Sequence, residues 1–478
     1  MSPIRRRHEA RWLAQVGWCL AAFYLALAGH RWLRGGPAFD PREVAVLGGF
    51  IGGLHLLHEA MAATRLRGDQ GVVPLVGLLT GLGLLMRLRL AAPDAAWHWR
   101  EWLMVPLALG VLAVSVWACR RHLTTVEAAG WLAGFLSLGL LLYVVHHGVS
   151  YRGATFGPGR TTPTELLKPL MVVCLAGFLK RPRALWELTI FAALFAAVLL
   201  LLVKQSDLGM VVILGALTLS LWFVSTGQSR WLLVGLSGAA ALVLLLSAGG
   251  SSLLPSAAQR SERRVDAWLN PWRDPHGNGY QTMQALFAQR AGGLDGAGLG
   301  GGQAQLVPLV RSDFVWAELA EDLGLMGCAL VLAAYLALYR RGYRIASLAE
   351  HPFRQRLAVG CVTVLAIQTL LNLGGVVRLV PITGITLPFI SHGGSSLLVS
   401  YCLIGLLLAV GDDLEFAEEA ARPGRRDGAA LATPADDPRP SGAAFDGACG
   451  AIGGAGAPRR PAGGRRGRAA GAPHGPAQ

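Results

Sequence analysis

Apolar runs of about twenty residues recur from one end of the chain to the other, separated by short polar or basic turns. That is the length an α-helix needs to cross the roughly 30 Å hydrocarbon core of a bilayer. Irregular backbone is excluded there, because its N–H and C=O groups would find no partner in lipid. The two-residue alternation of a membrane barrel is absent. The pattern predicts an all-α, polytopic helical membrane protein of about 12 transmembrane helices. The spans fall near 12–33, 45–63, 71–90, 101–119, 127–147, 163–180, 184–203, 207–226, 230–248, 314–340, 356–377 and 385–411. The first run has no small-residue cleavage site and reads as a retained span.

One passage breaks this rhythm. From about Gly249 to Asp322 the chain is polar, with Arg263-Arg264, Asn270-Pro271-Trp272, Gly279-Tyr280-Gln281, a glycine-rich run and Ser312-Asp313-Phe314. Connections between membrane helices are usually short, so a loop over 249–313 that feeds an acid into a helix mouth reads as a cover for a site. After Val410 the composition changes again. An acidic collar, Asp412 to Glu419, precedes an Ala/Gly/Pro/Arg-rich tail, and 412–478 is expected to be disordered.

Lys and Arg total 43 against 29 Asp and Glu, a net charge of +14. The arginines gather at helix ends and in the tail, which argues for membrane orientation and against nucleic acid. An even span count puts both termini on one side. Arg5, Arg6, Arg7, Arg65, Arg67, Arg120, Arg121, Lys180, Arg181 and Arg340 make that side the cytoplasmic one and place the long loop outside. The cysteines are scattered singly, with no metal spacing and no disulfide framework.

Several polar residues sit where lipid makes them expensive. Thr162-Pro163-Thr164-Glu165 has the form of a capping box, and Lys168 lies on the same helix face as Glu165, followed by Pro169, which is expected to kink the helix. Lys204-Gln205-Ser206-Asp207 reads either as an interfacial turn capped by Asp207 or as a ledge at a cavity mouth. Gly296 to Gly301 imitates a dinucleotide fingerprint, but no strand precedes it, so a loop folded closely onto the membrane face is expected. Asp313 stands at the head of a span that also carries Glu318, Glu321 and Asp322. It is either an acid paired with the helix dipole or a reacting group. Pro381 to Ser396 disfavours a continuous helix. Its freed amides and the hydroxyls of Ser391, Ser395 and Ser396 are candidates for phosphate oxygens.

In this order, Pro163 to Lys168, Lys204 to Gly209, Asn270-Pro271-Trp272, Gly279-Tyr280-Gln281, Gly298-Leu299-Gly300, Ser312-Asp313-Phe314, Glu321 to Leu325 and Pro381 to Ser396 resemble the SEDS family of FtsW, RodA and SpoVE. The likeness covers 71–411, and the wording of the loop leans to the RodA branch. It departs at His392, where the family usually has tyrosine, at Arg311-Ser312 in place of His-Thr, and at Asp322 in place of a second glutamate. The family core has ten spans, so residues 1–70 look like an added helix pair.

The resemblance implies a peptidoglycan glycosyltransferase of the inner membrane. It would polymerise lipid II, a disaccharide-pentapeptide on undecaprenyl diphosphate, beside a class B penicillin-binding protein. Asp313 would be the catalytic base. Glu165, Lys168, Asp207, Arg263, Arg264, Gln281, Glu321, Ser391, Ser395 and Ser396 would bind substrate, with Lys168, Arg263 and Arg264 as cations for the diphosphate. A divalent cation (Mg or Mn) could serve beside them, although no all-protein metal cage is visible. The rival class is transport, a lipid II flippase or a solute carrier, but a carrier needs no acid poised beneath a long external cover.

Overall fold

The structure is a computed structural model that describes residues 3–36, 39–64, 66, 69, 71–90, 99–151, 154–156, 162–181, 183–230, 255–277 and 279–420. The expected ninth span from 231, the loop start at 249–254, Arg65, Arg67 and the tail from 421 lie outside the described residues.

In chain order the long helices are α1 Pro3–Leu33, α2 Pro41–Ala63, α3 Val72–Arg89, α4 Trp99–Ala128 and α5 Gly130–His147. They continue with α6 Leu167–Leu179, α7 Leu185–Lys204, α8 Leu208–Thr226, α9 Pro255–Leu269 and α10 Tyr280–Gly292. The last three are α11 Val315–Leu348, α12 Pro352–Val376 and α13 Gly394–Ala420. Ten helices among the described residues are long and apolar enough to cross a membrane. The expected sixth span is not one of them. It opens as a 3-10 turn, Pro163–Leu166, and only 13 residues of α-helix follow.

Two corrections concern helix ends. Pro169 does not kink a helix: it falls in the first turn of α6, where a missing N–H costs nothing. The last helix does not stop at 411 but runs to Ala420, and Asp412 pairs with Arg120 at 2.7 Å. An antiparallel hairpin, Val149–Tyr151 with Ala154–Phe156, follows α5 and holds the only strands among the described residues.

Burial sorts the spans into two classes. The apolar windows of α3, α12 and α13 are 83%, 72% and 78% buried, against 28–39% for the other candidate spans. The three form the centre, and the rest present apolar flanks to lipid. Lipid tails are as apolar as leucine, so helices associate through close packing at small residues. A Cβ on Gly405 of α13 would stand 2.6 Å from Ser115 of α4, and one on Gly177 of α6 would stand 3.3 Å from the Cα of Gly130 of α5.

The N-terminal pair packs on this centre. Leu20 of α1 is fully buried over Gly81 of α3. Arg31 pairs with Glu43 of α2 at 2.7 Å and donates to the Leu88 carbonyl at 2.5 Å. The long loop has its own helices, α9 and α10. The span after it, α11, is broken at Gly324, where φ is 65° and ψ −171°.

Candidate active site

Asp313 sits on a tight turn ahead of α11. Leu309, at φ 56°, offers its carbonyl to the N–H groups of Ser312, Asp313 and Phe314. Asn372 of α12 then donates one amide to two carbonyls, Asp313 at 2.9 Å and Ile385 at 2.7 Å. This pins the turn against the strap 380–386. Gly384 in that strap has φ 75°, and a Cβ built on it would lie 3.8 Å from Asp313 Oδ2 and 3.9 Å from Arg264 Nη2. Carboxylate and guanidinium therefore converge over one glycine, beside a small cleft that Asp313 lines with Asn372, Thr383 and Gly384.

Arg264 arrives there on α9, and a reciprocal latch fixes that helix. Trp268 Nε1 donates to the Arg378 carbonyl at 2.9 Å, and the Arg378 guanidinium donates to the Trp268 carbonyl at 2.6 Å. A cation on the last carbonyls of a helix is also where the helix dipole favours it. Burial pulls the Arg264 guanidinium below its usual value, and the charges of Asp207 and Asp313 oppose that pull. Among the described residues, four non-glycines have positive φ: Ser206, Leu309, Arg378 and Phe389. Leu309 lies in the turn before Asp313, Arg378 and Phe389 flank the strap on either side, and Ser206 precedes Asp207. Such backbone persists only where the surroundings enforce it.

A second polar chain runs inward from the same strap. Lys168 is 1% exposed and donates to Glu165 at 2.5 Å and to Gln368 Oε1 at 2.8 Å. The Gln368 amide continues to the Thr386 carbonyl at 2.9 Å and to Ser396 Oγ at 3.2 Å. Asp207 caps α8 by accepting from Met210 N at 3.1 Å and lies in the field of Glu165, Lys168 and Arg264. Its helix abuts the strap: a Cβ on Gly209 would stand 2.7 Å from Ile385. The capping box at Thr162 does not form. The turn is 3-10, Glu165 pairs with Lys168, and the Thr162 hydroxyl bonds Ser395.

The serines of the broken segment are held by the chain itself. Ser391 Oγ donates to the Ser312 carbonyl at 2.5 Å and accepts from Leu387 N at 2.7 Å. Ser396 accepts from Thr386 at 2.8 Å. A buried hydroxyl takes the nearest polar partner, and the one that Ser391 takes supports the Ser312-Asp313 turn.

The three acids after Asp313 do not line the cleft either. Arg89 at the end of α3 reaches Glu318 and Asp322, each at 3.0 Å, with all three side chains at most 5% exposed. Asp322 accepts from Gly300 N at 2.9 Å, and Glu321 accepts from Gln303 N at 2.7 Å. Gly293 and Leu294 accept from Leu325 and Met326 N–H across the break at Gly324. The glycine-rich run is thus laid strand-like on α11. It needs glycine, since a Cβ at Gly292 would stand 1.9 Å from the Ala320 carbonyl oxygen. Glu321 belongs to this staple and not to the cleft.

The structure therefore gathers Asp313, Arg264, Asp207, Glu165 and Lys168 around the strap. Arg263 is exposed beside Arg264 on α9, and Gln281 opens α10 half-buried. Gln368, Asn372, Thr386 and Arg89 were not anticipated. A signal was present, since Gln368 and Asn372 stand four apart in an apolar run, hence on one face of a membrane helix.

Among known proteins, the FtsW/RodA/SpoVE family of cell cycle proteins matches residues 71–415. "Peptidoglycan glycosyltransferase RodA" of Mycobacterium tuberculosis is 32% identical over 72% of this chain and 77% of that protein. "Probable peptidoglycan glycosyltransferase FtsW" of Geobacter metallireducens is 36% identical over 58% and 75%. A chain from the structure titled "Structural coordination of polymerization and crosslinking by a peptidoglycan synthase complex" superposes with TM-score 0.59 at 28% identity, covering 73% of this chain and 99% of that one. The crystal structure of the rod shape determining protein RodA of Thermus thermophilus gives TM-score 0.52 at 26% identity, covering 73% and 98%. The matched region contains every residue of the cleft and leaves out α1 and α2, and this multi-pass membrane chain is a member of the FtsW/RodA/SpoVE family.

Proposed function

We propose that this protein is a peptidoglycan glycosyltransferase of the inner membrane that polymerises lipid II into glycan strands. The observation that carries the reading is the convergence of the Asp313 carboxylate and the Arg264 guanidinium over Gly384, at the mouth of a membrane helix. The names of the relatives on both the RodA and the FtsW side support the same chemistry and do not choose between elongation and division.

In this mechanism Asp313 takes the proton from the acceptor sugar hydroxyl as that oxygen attacks the anomeric carbon of the donor. The bond to undecaprenyl diphosphate breaks as the new one forms, so an α-linkage becomes β. A positioned base contributes about 10²–10⁴-fold. Arg264, with Arg263 beside it, faces the charge that develops on the leaving diphosphate. Glu165, Lys168 and Asp207 shape the polar floor, and Gln281, at the start of the loop helix α10, would contact the sugar substrate. Among the described residues no three His, Cys, Asp or Glu side chains gather as a metal cage. A Mg or Mn ion accompanying the diphosphate would draw most of its ligands from substrate and water.

The loop and Asp313 face the extracytoplasmic side and both termini the cytoplasm, as the basic turns argue. A class B penicillin-binding protein is the expected partner, and the likeness to a chain of a peptidoglycan synthase complex supports a partner of that kind. The test is direct. Purified protein in detergent, given lipid II with and without a transpeptidase partner, should yield a ladder of glycan chains on a gel. Transbilayer movement of lipid II in vesicles with no ladder under any condition would favour the carrier instead.

A further inference from the structure

A cavity lined by charged and aromatic side chains lies far from Asp313. It has a volume of about 280 Å³ and lies where the start of α5, the end of α6 and the start of α7 meet. Lys180 directly follows α6, whereas Lys168 opens it, so the two stand about 18 Å apart along the helix at 1.5 Å per residue. The cavity therefore lies at the opposite end of α6 from the strap.

Its floor is aromatic and its rim is charged. Phe178 and Phe191 stack at 3.9 Å between centroids, and Trp131 sits edge-on to both, at 5.7 and 6.3 Å. On the rim Lys180 meets Glu127 at 2.9 Å and Arg183 meets Glu187 at 3.0 Å. Arg183 is also held by the Phe178 and Gly177 carbonyls, which cap the end of α6. Arg181 is different: it is 64% exposed and reaches Glu187 only at 3.7 Å, beyond a hydrogen bond. Three cations face two carboxylates, so the rim carries one positive charge in excess. Around it, Leu132, Phe135, Leu185 and Trp186 are exposed on membrane helices, where only hydrocarbon or headgroups meet them.

We propose that this cavity binds the headgroup of an anionic phospholipid. A basic pocket between helix ends at a membrane surface suits a lipid phosphate. The volume holds roughly nine waters at about 30 Å³ each, enough for a phosphoglycerol group and too small for a whole lipid. The acyl chains then run along the exposed apolar flank of α5 and α7. Phosphate oxygens take Arg181 first, and Lys180 turns from Glu127 to join it. Arg183 stays fixed as the cap of α6. The site is independent of the reaction at Asp313, being at the other end of the bundle.

The experiment is native mass spectrometry of the purified full chain, titrated with phosphatidylglycerol or phosphatidylcholine, with inorganic phosphate as competitor. Wild type should retain phosphatidylglycerol at least fivefold better than phosphatidylcholine, and millimolar inorganic phosphate should not displace it. Arg181→Glu combined with Lys180→Gln should lose about fivefold or more of that preference. Arg340→Glu, an exposed charge change outside the cavity, should keep it, and a melting curve for each variant controls for folding. Equal retention of both lipids by wild type, or an unchanged preference in the double variant, overturns the proposal. So does displacement by inorganic phosphate, which would make this a site for the free ion.

Discussion

Lys168 and Glu165 are held where neither can be changed alone. Lys168 is 1% exposed, and Glu165 and Gln368 take two of its three donors. Removing one partner of a buried pair strands the other, at a cost of about 3–5 kcal/mol. Lys168→Ala is therefore expected to lower the melting temperature as well as turnover, while Lys168→Met with Glu165→Gln recovers most of the stability. Thermal melts of wild type and these two variants check it. Full stability in Lys168→Ala alone would contradict the buried pair. The sequence already showed that a lysine at this depth needs a partner, because lipid supplies none. It put Glu165 on the same face but did not show the second partner, because Gln368 is 200 positions away. The same limit applied to Ser391 and Ser396. Their hydroxyls looked available in the chain order and are taken by Ser312, Leu387 and Thr386 in space.

Among the elements, the broken helix α11 and the glycine-rich run on it carry the most positioning. The acids Glu318, Glu321 and Asp322 were legible as costly in a membrane helix. Their destination was not, since it depends on Arg89 and on backbone N–H groups of a loop. That loop holds the segment that delivers Asp313. Gly324→Ala is expected to cost more than about 2 kcal/mol, because φ 65° with ψ −171° is backbone essentially reserved for glycine and a Cβ there would stand 2.4 Å from the Gly296 nitrogen and the Leu294 carbonyl oxygen. Gly292→Ala should also be strongly destabilising, since its Cβ would stand 1.9 Å from the Ala320 carbonyl oxygen. Both should reduce polymerisation with the expression level held equal, and hydrogen exchange should rise first over 293–302. Protection unchanged in both variants would mean that the run is not stapled. Arg89→Met tests the same staple from α3. It leaves Glu318 and Asp322 buried without their cation, and loss of folded protein is expected, as followed by size-exclusion chromatography.

For the whole molecule, hydrophobic spacing was enough to predict a polytopic bundle, and the order of the motifs was enough to place it in a family. The spacing could not show that α3, α12 and α13 form the centre, because apolar residues serve lipid and helix neighbours alike. It also could not show what α1 and α2 do. Arg31 and Arg34 donate to the carbonyls of Leu88 and Gly301, so the pair braces the end of α3 and the glycine-rich run. A chain that begins at residue 71 should still insert and fold, with lipid replacing the apolar contacts of α1, but melt several degrees lower. Failure to insert would give the pair a larger role. The central claim is that Asp313 removes a proton in glycosyl transfer, and one measurement meets it most directly: single-turnover polymerisation of lipid II by purified Asp313→Asn beside wild type. A fall of about 10²–10⁴-fold with an unchanged melting temperature is the predicted result. A rate within a few-fold of wild type would contradict it.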